Sequence, residues 1–462
     1  MVLSISQETF NNAVQENITD LGLSPEEALE EAVTQFESQG VDLSSIIKEL
    51  MISSASSANI EEVVVKLLNL NKKKASANEI TNQLEILKTE CDKGIQERVI
   101  AGKAGAYNAI LDTLINNKND VNIERHCLKA MISLMTKQPD LLDEKGIEII
   151  LSNLKKEADY DLKKLSLRWA KECCIMHEMN RQKIFDSHIL ENLKELLNDG
   201  TSDILRDVLS VFRGLVLDDD VRVEFGKAHD HARIIASEIL CPLTGLLTRF
   251  RSDELLIFDL MLTVTSLMVR TEFCKKVEDA GGLDLIRDVM KAFPNNEKIN
   301  RQCFKLLKSL GGNDDVRGHV IQKNLAPIIV TALNENKGNV GTAVAGLACI
   351  SSLTLRSPEN SRAFFDSGSP AVIVEVMKMY PDEKQIQKTA SWAIRNMVCR
   401  SKYQSGTFIE LGIEELLHKD LKKFKDIEYD IKAALRDLDC KVNLREEWTG
   451  KGGALTTGLS RE

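Results

Sequence analysis

A short apolar phrase returns roughly every 43 residues along this chain, and no other feature constrains its fold as strongly. The phrase is apolar at its second, fifth, eighth and ninth places. It opens at Gly146, Ile189, Ile239, Gly282, Leu325, Ser369 and Gly412, in steps of 43, 50, 43, 43, 44 and 43 residues. Apolar residues three and four apart mark one face of a helix. A helical period in the forties predicts an α-solenoid, in which each unit hides its apolar face against its neighbour. Such folds present a long surface and bind other proteins. The pattern names no partner.

The copy from Gly282 reads GLDLIRDVM, and GIEIILSNL from Gly146, ILCPLTGLL from Ile239 and SPAVIVEVM from Ser369 are kin to it. A second helical phrase of small and apolar residues follows about 20 residues later, clearest as ASWAIRNM from Ala390. Polar breaks separate the two: Pro294-Asn295-Asn296, Asn334 to Gly338, and Pro381-Asp382. Each unit therefore reads helix, turn, helix, turn, with room for a short extra helix. An eighth unit is expected to open near Gly105, with Leu128 to Leu134 in its second helix. The 50-residue step puts its extra length around Lys227 to His231, expected as a polar loop at a rim.

Length alone, at 462 residues, suggests about three domains, but a solenoid grows by units. Only 8 prolines and 5% aromatic residues suit an all-helical chain. The net charge of −10 argues against nucleic acid as the main ligand and leaves room for a local basic patch. The 10 cysteines are scattered through helical phrases without CxxC spacing, as small core residues in a reducing compartment. The start shows no basic stretch followed by an apolar run, so no signal peptide is expected. The longest charge-free stretch, Gly338 to Leu355, reads as a helix buried between neighbours, not as a membrane span. The expectation is a monomeric, cytoplasmic protein, with the nucleus also open to it, using no cofactor and no metal.

Residues 1–50 read as a separate helical segment. A helix is expected from Gln7 to Leu21, and a second opens at Ser24-Pro25-Glu26-Glu27, where Ser24 caps and Glu27 closes a capping box. Gly40 ends it, and Val41 is expected to start another. Residues 51–104 form a lead-in: a Ser53 to Asn59 linker, helices over Ile60–Leu70 and Asn78–Glu90, and the run Lys72-Lys73-Lys74 as solvated surface. The solenoid is expected over 105–448, its last helix closing at Leu444 to Trp448, with a disordered tail over 449–462.

These phrases resemble a known family. Ile386 to Met397 (IQKTASWAIRNM) resembles the third-helix signature of armadillo repeats, and Glu278 to Leu283 resembles their entry, where Ala-Gly-Gly leads into a new unit. The resemblance implies an all-α, right-handed armadillo-type solenoid of about eight repeats with a helical N-terminal segment. The leader, with Gln7 to Phe10, Ser24 to Ala28 and Gln35 to Ser44, is similar to that of one animal family of armadillo-repeat proteins. That family has no established enzymatic activity, which implies a scaffold.

The resemblance also supplies candidate residues. Third helices line the inner face of an armadillo solenoid, and by offset Trp169, Phe212, Lys305, Trp392 and Asn396 fall there, with Arg395 and Arg400 beside the last pair. Exposed groove aromatics would anchor a partner. The alternative is packing between repeats, with Arg395 closing a salt bridge inside the protein. Importin-α-type proteins grip basic peptides with a Trp and an Asn one turn apart on successive third helices. Here Trp392 and Asn396 make one pair, Cys173 follows Trp169, and other units carry Phe212 with Val216, Leu262 with Ser266, Lys305 with Ser309 and Ala348 with Ser352. The ladder is absent.

Other constellations are weaker. His229-Asp230-His231 lacks further ligands at zinc spacing and reads as polar loop. Cys173 and His177 would share a helix face, but core packing explains both. Gly311 to Asp315 lacks the spaced acids of a calcium loop. No phosphate loop, nucleotide fingerprint, nucleophile elbow or HExxH occurs. The expected function is a noncatalytic scaffold or adaptor that binds a peptide or helix along its concave face. The alternatives are an importin-like transport adaptor for basic signals, and an autoinhibited scaffold with residues 1–50 in the groove.

Overall fold

The structure, a computed structural model, describes residues 5, 7–43, 46, 48, 54–73, 75–155 and 159–443. The expected tail, the closing helix turn at Leu444 to Trp448 and Lys74 lie outside the described residues. Regular elements among the described residues are helices. They group into two compact units, Met1–Ile239 and Leu240–Glu462. The period predicts one continuous stack over 105–448; the division falls where its one irregular step, of 50 residues, ends at Ile239.

Short-range chemistry sets the helix ends. The third helix of most repeats starts on an Asp or Asn whose side chain accepts a backbone N–H, as at Asp120, Asp159, Asp253, Asn296 and Asn339. Each satisfies a donor that the first helical turn leaves open. The polar break Pro294-Asn295-Asn296 ends on one of these caps, and the break Asn334 to Gly338 directly precedes another, Asn339. The turn into the next long helix needs a left-handed residue. Gly281 and Gly368 sit there at φ 84°, where a side chain would strain the backbone. His188 and Asn324 take the same turn at φ 62° and 51°.

The third helices form the inner layer. In the first unit, α1 (Ala77–Lys93), α2 (Val121–Met135), α3 (Tyr160–Cys174) and α4 (Ser202–Leu215) each pack on the next. In the second, α5 (Glu254–Ser266), α6 (Glu297–Leu310), α7 (Val340–Thr354), α8 (Lys384–Val398) and α9 (Glu428–Asp437) do the same. An outer row of helices, such as Gly282–Ala292, Ala326–Asn336, Ser369–Met379 and Ile413–Lys423, starts where the apolar phrase starts. Nine-residue helices, such as Asp314–Gln322 and Pro358–Asp366, complete the repeats. The charge-free stretch is α7, whose Leu347, Cys349, Ile350 and Leu353 are fully buried. Each such leucine or isoleucine contributes roughly 1.5–3 kcal/mol by leaving water. No helix among the described residues is long and apolar enough to cross a membrane.

Buried amides close the tight corners, and sequence patterning does not reveal them. Asn360 donates to the carbonyls of Leu353 and Arg317 at 2.9 and 2.8 Å. Asn180 does the same for Cys173 and Pro139 at 3.1 and 2.7 Å. Asn300 and Gln387 cap the carbonyls that lead into α6 and α8.

Three local expectations change. Val41 to Leu43 are not helical. Val41, Leu43 and Ile46 instead fill a small core with Phe10 and Ala32. Ser54 to Asn59, read as linker, belong to the helix Ser54–Lys73. Lys227 to His231 is not a loop: the helix Ala228–Arg249 starts there. His231 is buried, stacked on Phe185 with ring centroids 4.0 Å apart. The extra length lies in the non-helical stretch 216–227 before it. The capping box at Ser24 and Glu27 is present as expected, and Ser76 with Glu79 repeats it.

Candidate interaction face

The sequence-derived candidates divide between the two units. In the first, Trp169 on α3 and Phe212 on α4 are fully buried, so the expected exposure of both is corrected. The reason lies in the outer helix. A Cβ on Gly146 would stand 3.2 Å from the Trp169 ring and 2.4 Å from the Tyr107 hydroxyl. The bare glycine leaves the space that the indole fills, and the Trp169 N–H points at the Met135 sulfur, 3.0 Å away.

In the second unit, Lys305 on α6 and Trp392 on α8 are exposed, Trp392 at 36%. Arg395 and Asn396 are half-buried. The Trp392 N–H donates to Asp430 Oδ1 of α9 at 2.8 Å, and Lys388 Nζ lies 5.1 Å from its ring centroid. Asn396 donates to the Ser351 carbonyl and hydroxyl of α7 at 2.9 and 3.0 Å. Arg395 pairs with Asp437 Oδ2 at 3.2 Å, the internal salt bridge weighed as its alternative role. Arg400 is exposed just beyond α8. These bonds tie α8 to both neighbours and hold Trp392 in one orientation.

The inner helices of the first unit are laced differently. Lys164 pairs with Asp203, and Arg168 with Asp207 at 3.1 Å, both from α3 to α4. Arg125 of α2 meets Asp159 and Asp161 at 3.1 and 3.2 Å. The hydrogen bond from Lys164 holds the Asp203 carboxyl below its usual range, while burial pushes Asp207 up. Arg125, Lys164 and Arg168 on this face are each paired within the protein.

No catalytic or metal constellation emerges from the weaker candidates. Cys173 and His177 do not share a helix: α3 ends at Cys174, and His177 Nδ1 accepts the Asn180 N–H as the cap of Glu178–Asp186. Burial pushes the Cys173 thiol well up and Cys174 up to about 12, which removes both as nucleophiles. Among the described residues no group of three His, Cys, Asp or Glu could hold a metal. A buried cluster does hold the 216–227 stretch. Arg181 donates to Glu178 at 2.9 Å and to Asp219 at 2.6 Å, and the Lys227 N–H donates to Glu178.

Comparison with known proteins agrees with this architecture. The family described as ARMC6 matches residues 60–457, and the Armadillo repeat-containing protein 6 N-terminal domain matches residues 3–63. The Armadillo repeat-containing protein 6 homolog of Drosophila melanogaster is 43% identical over 458 residues, covering 97% of this chain and 98% of its own. Armadillo repeat-containing protein 6 of Homo sapiens is 33% identical over 469 residues, covering 98% and 94%. A crystal structure of an engineered protein aligns with a TM-score of 0.68 at 14% identity, covering 94% of this chain and 99% of its own. A chain from a study of the interaction between cadherin and β-catenin aligns with a TM-score of 0.57 at 15% identity, covering 80% and 69%. At such identities the likeness extends to the fold alone. The leader and the stacked repeats together are matched over nearly the whole length, and the chain belongs to the armadillo repeat-containing protein 6 family.

Proposed function

We propose that this protein is a noncatalytic scaffold that binds a protein segment on the third-helix face of its second unit. The observation that carries the reading is Trp392. It is a large aromatic side chain left exposed, yet fixed by Asp430 and Lys388. Interface anchors are enriched in tryptophan, and an anchor held in place before binding loses little entropy on contact. Lys305, Arg395 and Asn396 supply the polar surroundings of the anchor. The importin-like alternative gains little here, since a basic signal needs repeated acidic contacts, and of the inner helices α6, α7 and α8 two are basic and one is uncharged. Occupation of the groove by residues 1–50 remains a variant of the same reading, tested by deleting them and measuring whether partner affinity rises.

The test is quantitative capture of binding partners by the intact protein and by Trp392→Ala, with thermal melts of both. A partner bound through Trp392 is lost from the variant while the melting temperature holds, at a cost of about 1–3 kcal/mol in affinity. Full retention of every partner by a folded variant would sink the reading.

A further inference from the structure

The inner helices α6, α7 and α8 of the second unit carry an excess of positive charge, of which Arg395 is paired with Asp437 and Lys384 with Asp426. Helix α6 has Lys298, Arg301, Lys305 and Lys308 against Glu297 alone, a net of three. Helix α7 has no charged residue at all. Helix α8 has Lys384, Lys388 and Arg395 and no acid, again a net of three. Six net positive charges on three adjacent helices stand out in a chain of net charge −10. The acid is elsewhere: residues 1–47 hold nine carboxylates and no Lys or Arg.

Position as well as number matters. Lys298, Arg301, Lys305 and Lys308 are spaced three and four apart, so they share one face of α6. Lys384, Lys388, Trp392 and Arg395 do the same on α8. Between them α7 presents Gly341, Val344, Ala348 and Ser352, a low floor between two rows of long side chains. The frame is fixed by Arg301, which donates to Asn339 Oδ1 at 2.8 Å, and by Ser352, which donates to the Lys308 carbonyl at 3.0 Å. Lys298, Lys305, Lys308 and Lys388 take part in no ion pair among the described residues, in contrast to the laced face of the first unit. Beyond α8 the charge turns over: α9 brings Asp430, and on the other side α5 brings Glu254.

We infer that the α6–α7–α8 face is a docking site for an acidic peptide segment of a protein partner, its carboxylates met by Lys305, Lys308 and Lys388 and an apolar residue by Trp392. This rests on the scaffold reading above and gives its partner a chemistry. Helices packed 8–10 Å apart make the basic strip about 20 Å wide. An extended segment of about six residues spans that width. Nucleic acid is the poorer fit, because the strip is short and acids close it on both sides, whereas a phosphate backbone asks for a longer basic track.

The experiment is selection from a phage-displayed library of random twelve-residue peptides on the full-length protein. It is repeated with the triple variant Lys305→Glu/Lys308→Glu/Lys388→Glu and with Trp392→Ala. Peptides rich in Asp and Glu are expected, with synthetic copies binding the triple variant at least tenfold more weakly and losing affinity as salt rises. The three lysines reach solvent, and circular dichroism melts check the fold. If the reversal disturbs it, the Gln-for-Lys triple variant replaces it, with the same loss expected in smaller degree. Selected peptides that depend on Trp392 but carry no acidic bias would overturn the inference and leave the scaffold reading standing. Peptides indifferent to both variants, or none selected, would overturn both. A single-stranded oligouridylate that binds more tightly than any peptide, and is lost in the triple variant, would assign the face to nucleic acid.

Discussion

Twenty-three residues separate Gly146 from Trp169, and the same interval separates Ser369 from Trp392. One indole is buried and the other reaches solvent. The repeat offset places both on third helices, so that much is legible from spacing. Gly146 leaves the room that the Trp169 ring fills, whereas the Trp392 N–H is held outward by Asp430. Trp169→Ala should cost about 3–5 kcal/mol of stability by opening a core cavity. Trp392→Ala should cost under about 1.5 kcal/mol. Urea melts of the two variants measure this, and the reverse order would refute the assignment. Asp420 is a residue no pattern singles out. It is 4% exposed, and its Oδ2 lacks a hydrogen-bond donor. Burial raises its carboxyl to about 6, against the attraction of Lys423. An unfolded aspartate titrates near 3.9. A raised carboxyl favours the folded state below about pH 4, and that advantage is lost as pH rises through about 6. Asp420→Asn should therefore raise the melting temperature at pH 7.5 and leave the two proteins close at pH 4. An equal gap at both would show that ionisation is not the cause.

At the scale of elements, helix ends were the most legible feature and tertiary corners the least. Asn296 stands in a polar break and Asn339 directly after one, and both cap helices. Asn180 and Asn360 look like ordinary surface residues, yet both are buried corner staples, because their partners are carbonyls brought near only by the fold. The helix at Ala228 was missed because His229-Asp230-His231 reads as polar, while His231 alone turns inward to Phe185. Two glycines separate local strain from packing. Gly368 holds φ at 84° with open space around it, so Gly368→Ala should lose about 1–2 kcal/mol through backbone strain alone. Gly245 lies in a helix with equally open space, so Gly245→Ala should gain about 0.5–1 kcal/mol. Chemical denaturation of both variants checks the signs. A stable Gly368→Ala would mean that the turn accepts another geometry.

For the whole chain, the 43-residue period carried the fold class, because stacked units bury the same positions again and again. The division into two units falls at Ile239, where the one irregular step of 50 residues ends, so the sequence marks the place but not its meaning. Net charge averages over position in a similar way, and leaves room for a local basic patch without placing it. An average of −10 describes a leader of nine acids and conceals a basic face on α6 and α8. Function was legible only as a class, because the residues that set it apart are exposed and obey no period. On the proposed function, partners meet the inner face of the second unit around Trp392. The most direct measurement is photocrosslinking in cells, with benzoylphenylalanine placed at Lys305 in one variant and at the exposed Lys419 of the outer row in another. The account predicts partner crosslinks from position 305 that vanish when Trp392→Ala is added, and none from position 419. Crosslinks from 419 alone, or crosslinks at 305 indifferent to Trp392, would contradict it.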